Sequence, residues 1–229
     1  MQTFSDVGID VTGRTGSFKM QCPRCGGKTD LSVNIEKKAY QCHKSKCDFQ
    51  GYLKDDNPRP IQWQKKDYFK PVFENNGLDE RAETFFKQRC INLEIVARHQ
   101  ITVERGALAF PYVHEGEVVM VKYRGANKKF WSTKNSKKVF YNAHKINKDT
   151  QTIAICEGEM DCLALESVGV ASCSVPNGAP AVNATSFSDI DESFRNSGDI
   201  FDGIKKIILA TDGDAPGHKL EEELARRFG

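Results

Sequence analysis

Short apolar runs alternate with helical segments after residue 151, and this alternation is the feature that most restricts the possible folds. "TIAIC" at 152–156 and "IKKIILA" at 204–210 have the length of strands, and "EMDCLALESV" at 159–168 has the pattern of a helix. Continuous apolar strands that alternate with helices are typical of a parallel sheet covered by helices. The sequence therefore predicts an α/β unit with a parallel sheet for residues 151–229.

Carboxylates follow two of these predicted strands. Glu157 comes directly after the first strand, and Asp212 and Asp214 come after the other, with Gly213 between them. The carboxyl ends of parallel strands meet at one rim of a sheet, and residues two apart in extended chain face the same way. Because clustered carboxylates favour hard divalent ions, we predict a Mg²⁺ or Mn²⁺ site formed by these three residues.

Each acidic residue also has a simpler explanation. Asp214 could cap the final helix, and Asp212 could accept backbone hydrogen bonds in its turn. We assign Glu159, at the start of a helix, to stabilisation by the helix dipole. Asp161 lies one helical turn beyond Glu157, where it could orient a metal-bound water, hold a basic neighbour or remain a surface charge.

Four of the eight cysteines lie close together in the sequence, as Cys22-x₂-Cys25 and Cys42-x₄-Cys47. Four thiolates at these spacings can surround Zn²⁺ tetrahedrally, with a hairpin between the two pairs. His43 could replace one cysteine, but we expect it at the surface or facing a template. The other cysteines stand singly, so we predict one structural zinc site and no disulfide framework.

The net charge of +2 conceals an uneven distribution. Residues 118–148 contain nine Lys or Arg residues and no acidic residue, so the rest of the chain is acidic overall. A cationic segment within acidic surroundings commonly marks a surface that binds a polyanion. We therefore expect this segment to contact phosphates.

The domain organisation follows from these patterns. We predict a zinc-binding domain at 1–54, a proline-containing linker at 55–70, a basic β-rich subdomain at 71–150 and the α/β subdomain at 151–229. Within the basic subdomain, residues 77–100 indicate two short helices, which are followed by a hairpin and a third strand. The predicted fold class is thus mixed α+β and α/β, with a small N-terminal zinc module.

The two acidic motifs resemble a known signature. "EGEMDCLAL" followed by "ILATDGDAPG" is similar to the signature of Toprim domains, and "SVPNGAP" resembles a turn of phage primase–helicases. A zinc ribbon, a basic region with "VKYRGANKKFW" and a Toprim domain follow one another as in bacterial-type primases. The chain resembles the bacteriophage-type DNA primases most and mitochondrial Twinkle more distantly.

This resemblance implies a DNA-templated RNA polymerase that makes short primers on single-stranded DNA from ribonucleoside triphosphates. The zinc ribbon would recognise the start site on the template. The resemblance covers Glu157, Asp212 and Asp214, which we expect in the catalytic centre together with Asp161. The residues that we expect against nucleotides or DNA are Lys122, Arg124, Lys128, Lys129 and His43.

Several alternatives stay open. Phe130 and Trp131 could stack on a base or pack in the core, and the basic strand could be merely solvated. The chain could also be a non-catalytic zinc-ribbon and Toprim adaptor that binds nucleic acid, or a Toprim nuclease. A topoisomerase would need a nucleophilic tyrosine, and nothing singles out Tyr112, Tyr123 or Tyr141.

No apolar stretch is long enough to cross a membrane, and the first residues lack the pattern of a signal peptide. We therefore expect a soluble, cytoplasmic protein of a bacterial or phage-infected cell. The resemblance implies a replicative helicase, fused downstream, and a DNA polymerase as partners. Gly229 would serve as a helix C-cap that leads onward, so we expect the chain to continue beyond it. The 229 residues contain no Walker-type loop, so we expect no helicase motor within them.

Overall fold

The structure is a computed structural model that describes residues 2–44, 47–53, 67–184, 186–197 and 200–228. The chain divides into two compact units, Met1–Lys65 with Glu222–Gly229 and Lys66–Glu221. Most of the predicted linker at 55–70 lies outside the described residues. In the part of the chain that the structure describes, no helix has the length and apolar character needed to cross a bilayer.

The first unit contains a four-stranded antiparallel sheet with the strands in sequence order. Its middle hairpin is the one predicted between the two cysteine pairs. Leu31 and Val33 are buried on one face of this sheet beside Cys22 and Cys42, and the small apolar cluster around them also includes Ile9. So small a core rarely stabilises a module alone. The strands are β1 Ser17–Met20, β2 Leu31–Asn34, β3 Ala39–Cys42 and β4 Gln50–Tyr52.

The second unit begins with two short helices, α1 (Glu80–Lys87) and α2 (Leu93–Arg98). Asp79 caps the first helix, since its Oδ1 accepts a hydrogen bond from the Ala82 backbone nitrogen at 2.7 Å. Asn92 caps the second helix in the same way, by accepting from the Glu94 backbone nitrogen. The predicted pair of helices and the break between them are therefore confirmed.

An antiparallel sheet follows the two helices, with four strands in sequence order. The predicted hairpin is confirmed, and Glu115 and Gly116 in its turn both have positive φ, as a tight hairpin turn requires. Register pairs Leu108 with Arg124, so Arg124 and, two residues away, Lys122 lie on one face of the sheet. The strands are β5 Thr102–Glu104, β6 Ala107–His114, β7 Glu117–Arg124 and β8 Phe130–Ser132.

The predicted parallel sheet is also confirmed. Its central strand β9 (Thr152–Cys156) has β10 (Ser172–Ser174) and β11 (Lys206–Ala210) as parallel neighbours. Cys156 pairs with Ala210, so the carboxyl ends of these two strands are level. The accompanying helices are α3 Glu159–Ser167, α4 Ser188–Ser197 and α5 Ala215–Phe228, of which α4 was not predicted.

One hydrophobic core serves both sheets of the second unit. Tyr112 and Met120 of the antiparallel sheet belong to the same buried cluster as Cys156 of β9 and Leu163 of α3. All four side chains are fully buried. The predicted basic subdomain and the predicted α/β subdomain therefore share their packing.

Candidate metal sites and nucleic-acid face

The four predicted zinc ligands lie together in the first unit. The sulfur atoms of Cys22 and Cys47 are 3.8 Å apart, those of Cys25 and Cys42 are 3.7 Å apart, and all four lie within 4.8 Å of one another. A tetrahedron with zinc–sulfur bonds of about 2.3 Å has edges of about 3.8 Å. The arrangement therefore fits a zinc ion.

Local turns hold these cysteines in place. The Cys22 backbone nitrogen donates to the Gly27 carbonyl at 2.9 Å, and the Gly26 nitrogen donates to the Cys22 carbonyl at 2.9 Å, which closes a tight loop around the first pair. Gly26 has a φ of 72°, which favours glycine. His43 is not part of the sulfur cluster, and its Nε2 lies 2.8 Å from the hydroxyl of Ser32.

The predicted carboxylates lie at the carboxyl ends of the parallel strands. Glu157 follows β9 and accepts a hydrogen bond through Oε1 from the Asp212 backbone nitrogen at 2.9 Å, which joins the ends of β9 and β11. Asp214 accepts from the Gly217 backbone nitrogen at 2.8 Å and so also caps α5, as one simpler explanation held. Both acidic segments thus meet at one rim, which we call the carboxylate rim: Glu157, Asp161, Asp212 and Asp214.

The negative charges of the carboxylate rim disfavour one another. Burial raises the pKa of Glu157, and the charges of Asp212, Asp214 and Asp161 raise it further, against the hydrogen bond from the Asp212 nitrogen. Burial and the charge of Asp212 likewise raise the pKa of Asp161, whose carboxylate accepts from the Gly158 nitrogen at 3.1 Å. A bound cation would relieve this repulsion.

The carboxylates are spaced more widely than the cysteine sulfurs. Among the described residues, no three carboxylates bring oxygen atoms close enough to form a cluster like the one around the sulfurs. Mg²⁺ typically keeps several waters and binds one or two carboxylates together with substrate phosphates. The hard oxygen donors and their separation therefore fit an ion of this kind.

Gly217 lets the first turn of α5 approach the carboxylate rim. A Cβ atom at this position would lie 2.7 Å from Glu157 Oε1 and would overlap the backbone carbonyl of Asp212. The sequence prediction missed this role, although Gly217 lies directly after the "DAP" that ends the second acidic motif. Glycine has a low helix propensity, so its presence in the first turn of a predicted helix could have indicated a close approach of the backbone.

Glu159 is a second residue that the sequence prediction misjudged. It is 3% exposed, Lys122 Nζ lies 2.8 Å from its Oε1, and the hydroxyl of Tyr112 donates to the same oxygen. Lys122 also donates to the carbonyl of Pro176 at 2.9 Å. The explanation by the helix dipole alone is therefore wrong, because a buried ion pair between α3 and β7 holds this carboxylate.

A cationic and aromatic face extends away from Lys122 along the antiparallel sheet. Lys122 Nζ and Arg124 Cζ lie 5.6 Å and 5.3 Å from the centre of the Phe130 ring. On the opposite face of the same sheet, Trp131 stacks on Tyr123 with ring centres 5.4 Å apart and an angle of 12° between the planes. Phe130 and Trp131 are 48% and 44% exposed, so they are not core residues and remain accessible to a base.

Lys128 and Lys129 lie in the exposed turn between β7 and β8. Asn127 and Lys128 both have a φ of 57°, in the left-handed region. Within the described residues, neither lysine forms an ion pair with a carboxylate. The structure thus places Lys122 beside α3, whereas the other lysines extend the positive charge into solvent.

None of the three tyrosines of the basic region is a free nucleophile. Tyr112 and Tyr141 are fully buried, and burial raises the pKa of both phenols well above the usual value. Tyr123 donates to Glu104 at 2.9 Å, and burial together with this contact raises its pKa to about 12. These environments do not favour the covalent chemistry of a topoisomerase.

Comparisons with known proteins agree with this geometry. The Toprim domain family matches residues 151–229. The chain is 32% identical to the "Primase homolog protein" of Arabidopsis thaliana, over all of this chain and 75% of that protein. It is 31% identical to the "Twinkle homolog protein, chloroplastic/mitochondrial" of the same plant, over 91% of this chain but only 32% of that protein. The chain thus spans about a third of the Twinkle homolog.

A solved structure shows the same fold. The primase fragment of the bacteriophage T7 primase-helicase protein aligns with 93% of this chain and 86% of its own, with a TM-score of 0.53 and 20% identity. The relation to the primase homolog extends over the zinc module, the basic region and the carboxylate rim. The chain therefore belongs to the family of phage-type DNA primases.

Proposed function

We propose that this chain is a DNA primase that joins ribonucleotides into short primers on single-stranded DNA. The observation that supports this most is the position of Lys122, which lies beside the helix that follows Glu157 and on the same sheet face as Arg124 and Phe130. Nucleotide chemistry requires negative metal ligands next to positive phosphate contacts. Both are present in the second unit.

The carboxylate rim is the proposed catalytic centre. A Mg²⁺ or Mn²⁺ ion held by Glu157, Asp212 and Asp214 would neutralise the incoming triphosphate and lower the pKa of the attacking 3′-hydroxyl. The Asp212 nitrogen orients the Glu157 carboxylate, and the Gly217 nitrogen orients that of Asp214. Asp161, held by the Gly158 nitrogen, adds negative charge behind these ligands.

Lys122 is the proposed link between the catalytic centre and the phosphates. Its ammonium group has three N–H donors, and two of them serve Glu159 and Pro176. The third donor is available for a phosphate oxygen. Arg124, Lys128 and Lys129 would contact further phosphates, while Phe130 and Trp131 offer ring faces to bases.

The zinc module and the partners complete the proposal. A small rigid module suits the recognition of unpaired template bases, and His43, partly buried beside Ser32, is the side chain that would face the template. We further propose that a replicative helicase, fused downstream, and a DNA polymerase act with this chain. Its compartment would be the cytoplasm of a bacterial or phage-infected cell.

One assay separates the proposed function from its alternatives. The chain is incubated with single-stranded DNA, labelled ribonucleoside triphosphates and Mg²⁺, and the products are resolved by length. We expect short labelled RNA that requires the DNA template. Cleaved DNA would indicate a nuclease, and binding without any product at saturating protein would support the non-catalytic adaptor.

A further inference from the structure

The second unit contains a cavity of about 350 Å³ that the proposed catalytic centre does not use. It lies between α1, the turn that joins β5 to β6, and the turn after β7. Apolar side chains, among them Phe85 and Leu108, form part of its wall. Basic side chains, among them Arg89, Arg124 and Lys128, form another part. The cavity therefore combines an apolar surface with positive charge.

Among the described residues, no ion pair neutralises the basic side chains of this cavity. In the described part of the chain, no carboxylate forms an ion pair with Arg89, Arg124 or Lys128. Asp79 is the acidic residue of the wall, and its carboxylate is engaged as the cap of α1. Burial lowers the pKa of Arg124, and the charge of Arg89 lowers it further. An anion between the two guanidinium groups would remove this repulsion.

An aromatic ring lies next to both guanidinium groups. Arg89 Cζ lies 3.7 Å and Arg124 Cζ 5.2 Å from the centre of the Phe85 ring. A ring flanked by cations in a partly apolar cavity suits a planar base with an attached phosphate better than a lone anion. The volume also suits one nucleotide unit rather than a small inorganic ion.

Strand β7 links the wall of this cavity to the lysine beside α3. Arg124, in the cavity wall, and Lys122, beside α3, are two residues apart on the same face of β7, which corresponds to about 7 Å. The exposed ring of Phe130 lies between these two cations. A chain of alternating phosphates and bases matches this alternation of cations and rings better than a free nucleotide does.

We propose that this cavity holds one nucleotide of the single-stranded DNA template, outside the position being copied, with its base against Phe85 and Leu108 and its phosphate between Arg89 and Arg124. This inference rests on the proposed function. It adds Phe85 of α1 and Arg89, which follows that helix, to the template-binding residues, and both lie outside the basic segment.

The first test measures binding without catalysis. Fluorescence anisotropy of a labelled oligothymidylate is recorded at several salt concentrations, without divalent metal, for the unchanged chain, Arg89→Gln and Arg98→Gln. Arg98 is an exposed arginine of α2 that does not line the cavity. We expect Arg89→Gln to bind about tenfold more weakly, with a salt slope smaller by about 0.7. Arg98→Gln should match the unchanged chain.

The second test identifies the base. A series of oligonucleotides, each with one abasic site at a different position, is bound to the unchanged chain and to Phe85→Leu, which keeps apolar bulk but loses the ring. For the unchanged chain we expect one abasic position to weaken binding by about 5- to 20-fold relative to its neighbours. Phe85→Leu should remove this position dependence.

The outcomes separate the inference from the proposed function. If the unchanged chain binds DNA and Arg89→Gln binds it equally well, the inference is overturned while the primase proposal stands. If Arg89→Gln weakens the binding of a nucleoside triphosphate but not of the oligonucleotide, the cavity is a free-nucleotide site and the template assignment is overturned. If the unchanged chain binds no single-stranded DNA, both fail together.

Discussion

The cysteine cluster and the carboxylate rim are both predicted metal sites, but they are built differently. The four sulfurs lie 3.7–3.8 Å apart in their two closest pairs, with no partner needed beyond the chain itself. The carboxylates of Glu157, Asp161 and Asp214 each accept a hydrogen bond from a backbone nitrogen. A closed set of soft ligands suits a permanent structural ion, whereas separated hard ligands leave room for water and substrate.

The largest expected effect is at the cysteine cluster. Cys42→Ser removes one of four thiolates, and because zinc binding supplies much of the folding free energy of such modules, we expect loss of zinc and unfolding of residues 17–53. Primer initiation at specific template sites should be lost, while extension of a supplied short RNA should survive. Zinc content, circular dichroism and both activities are measured.

The matched control is Cys90→Ser, which changes an exposed cysteine outside the cluster and should keep the zinc. If Cys42→Ser lost initiation and extension equally, the zinc module would be part of the catalytic centre. The cysteine cluster and the carboxylate rim would then no longer differ as a structural and a catalytic site.

Substitution at the carboxylate rim should abolish the chemistry and preserve the fold. Glu157→Gln and Asp212→Asn each keep the size of the side chain but remove its negative charge. We expect primer synthesis to fall by about 10³-fold with the fold and DNA binding preserved, since metal-borne stabilisation of the transition state is worth several kcal/mol. Rates are measured over a range of Mg²⁺ concentrations.

The control is Asp149→Asn, which changes an exposed carboxylate away from the rim and should be active. Near-normal synthesis by Glu157→Gln would refute the metal assignment.

Gly217→Ala tests whether the rim depends on close packing. The added methyl group would meet the Asp212 backbone carbonyl and Glu157 Oε1. Because a backbone group cannot move aside cheaply, we expect synthesis to fall by about 10²-fold, through misplaced carboxylates. Gly213→Ala, where a Cβ meets no atom within 4 Å, is the control. Equal rates for the two variants would mean that the rim tolerates displacement.

The buried ion pair next to the rim should respond in stability. Glu159→Gln leaves Lys122 without its counter-charge in a buried position, which we expect to lower the free energy of unfolding by about 3 kcal/mol. Urea unfolding is measured for Glu159→Gln, Lys122→Met and the double variant. A coupling energy near zero in this cycle would show that the two charges do not stabilise each other.

The smallest effect is expected at the exposed turn. Lys128→Ala removes a solvated charge, so we expect DNA affinity to fall only about two- to threefold and the salt slope to decrease slightly. Binding is measured by anisotropy, beside Lys134→Ala at another exposed lysine of the basic segment. If Lys128→Ala bound DNA with unchanged affinity, the exposed turn would make no phosphate contact.

The parts of the fold that local patterns specify were predictable. The cysteine spacing, the hairpin around Gly116 and the strands that precede Glu157 and Asp212 each depend on neighbours in the sequence. Helix α4 was missed because its Ser- and Asp-rich sequence resembles a loop. Tertiary packing stabilises this helix. Its Ile190 is buried, and the ring of Phe194 meets that of Phe140 edge to face, with ring centres 5.0 Å apart.

At the candidate site, the sequence indicated which residues lie near one another but not the contacts that hold them. The pairing of Glu159 with Lys122 joins helix α3 to strand β7, and no spacing rule connects the two residues. The cavity beside Phe85 likewise arises from three separate segments. Such relations depend on how sheets and helices pack, which local propensity does not determine.

The shared core has a consequence for how the second unit can be divided. A cut at residue 150 would expose Tyr112 and Met120 on one fragment and Leu163 on the other, and it would leave Glu159 without Lys122. Each fragment alone should be insoluble or unfolded. When the two fragments are mixed, they should reassemble. A split reporter with one half fused to each fragment would then become active.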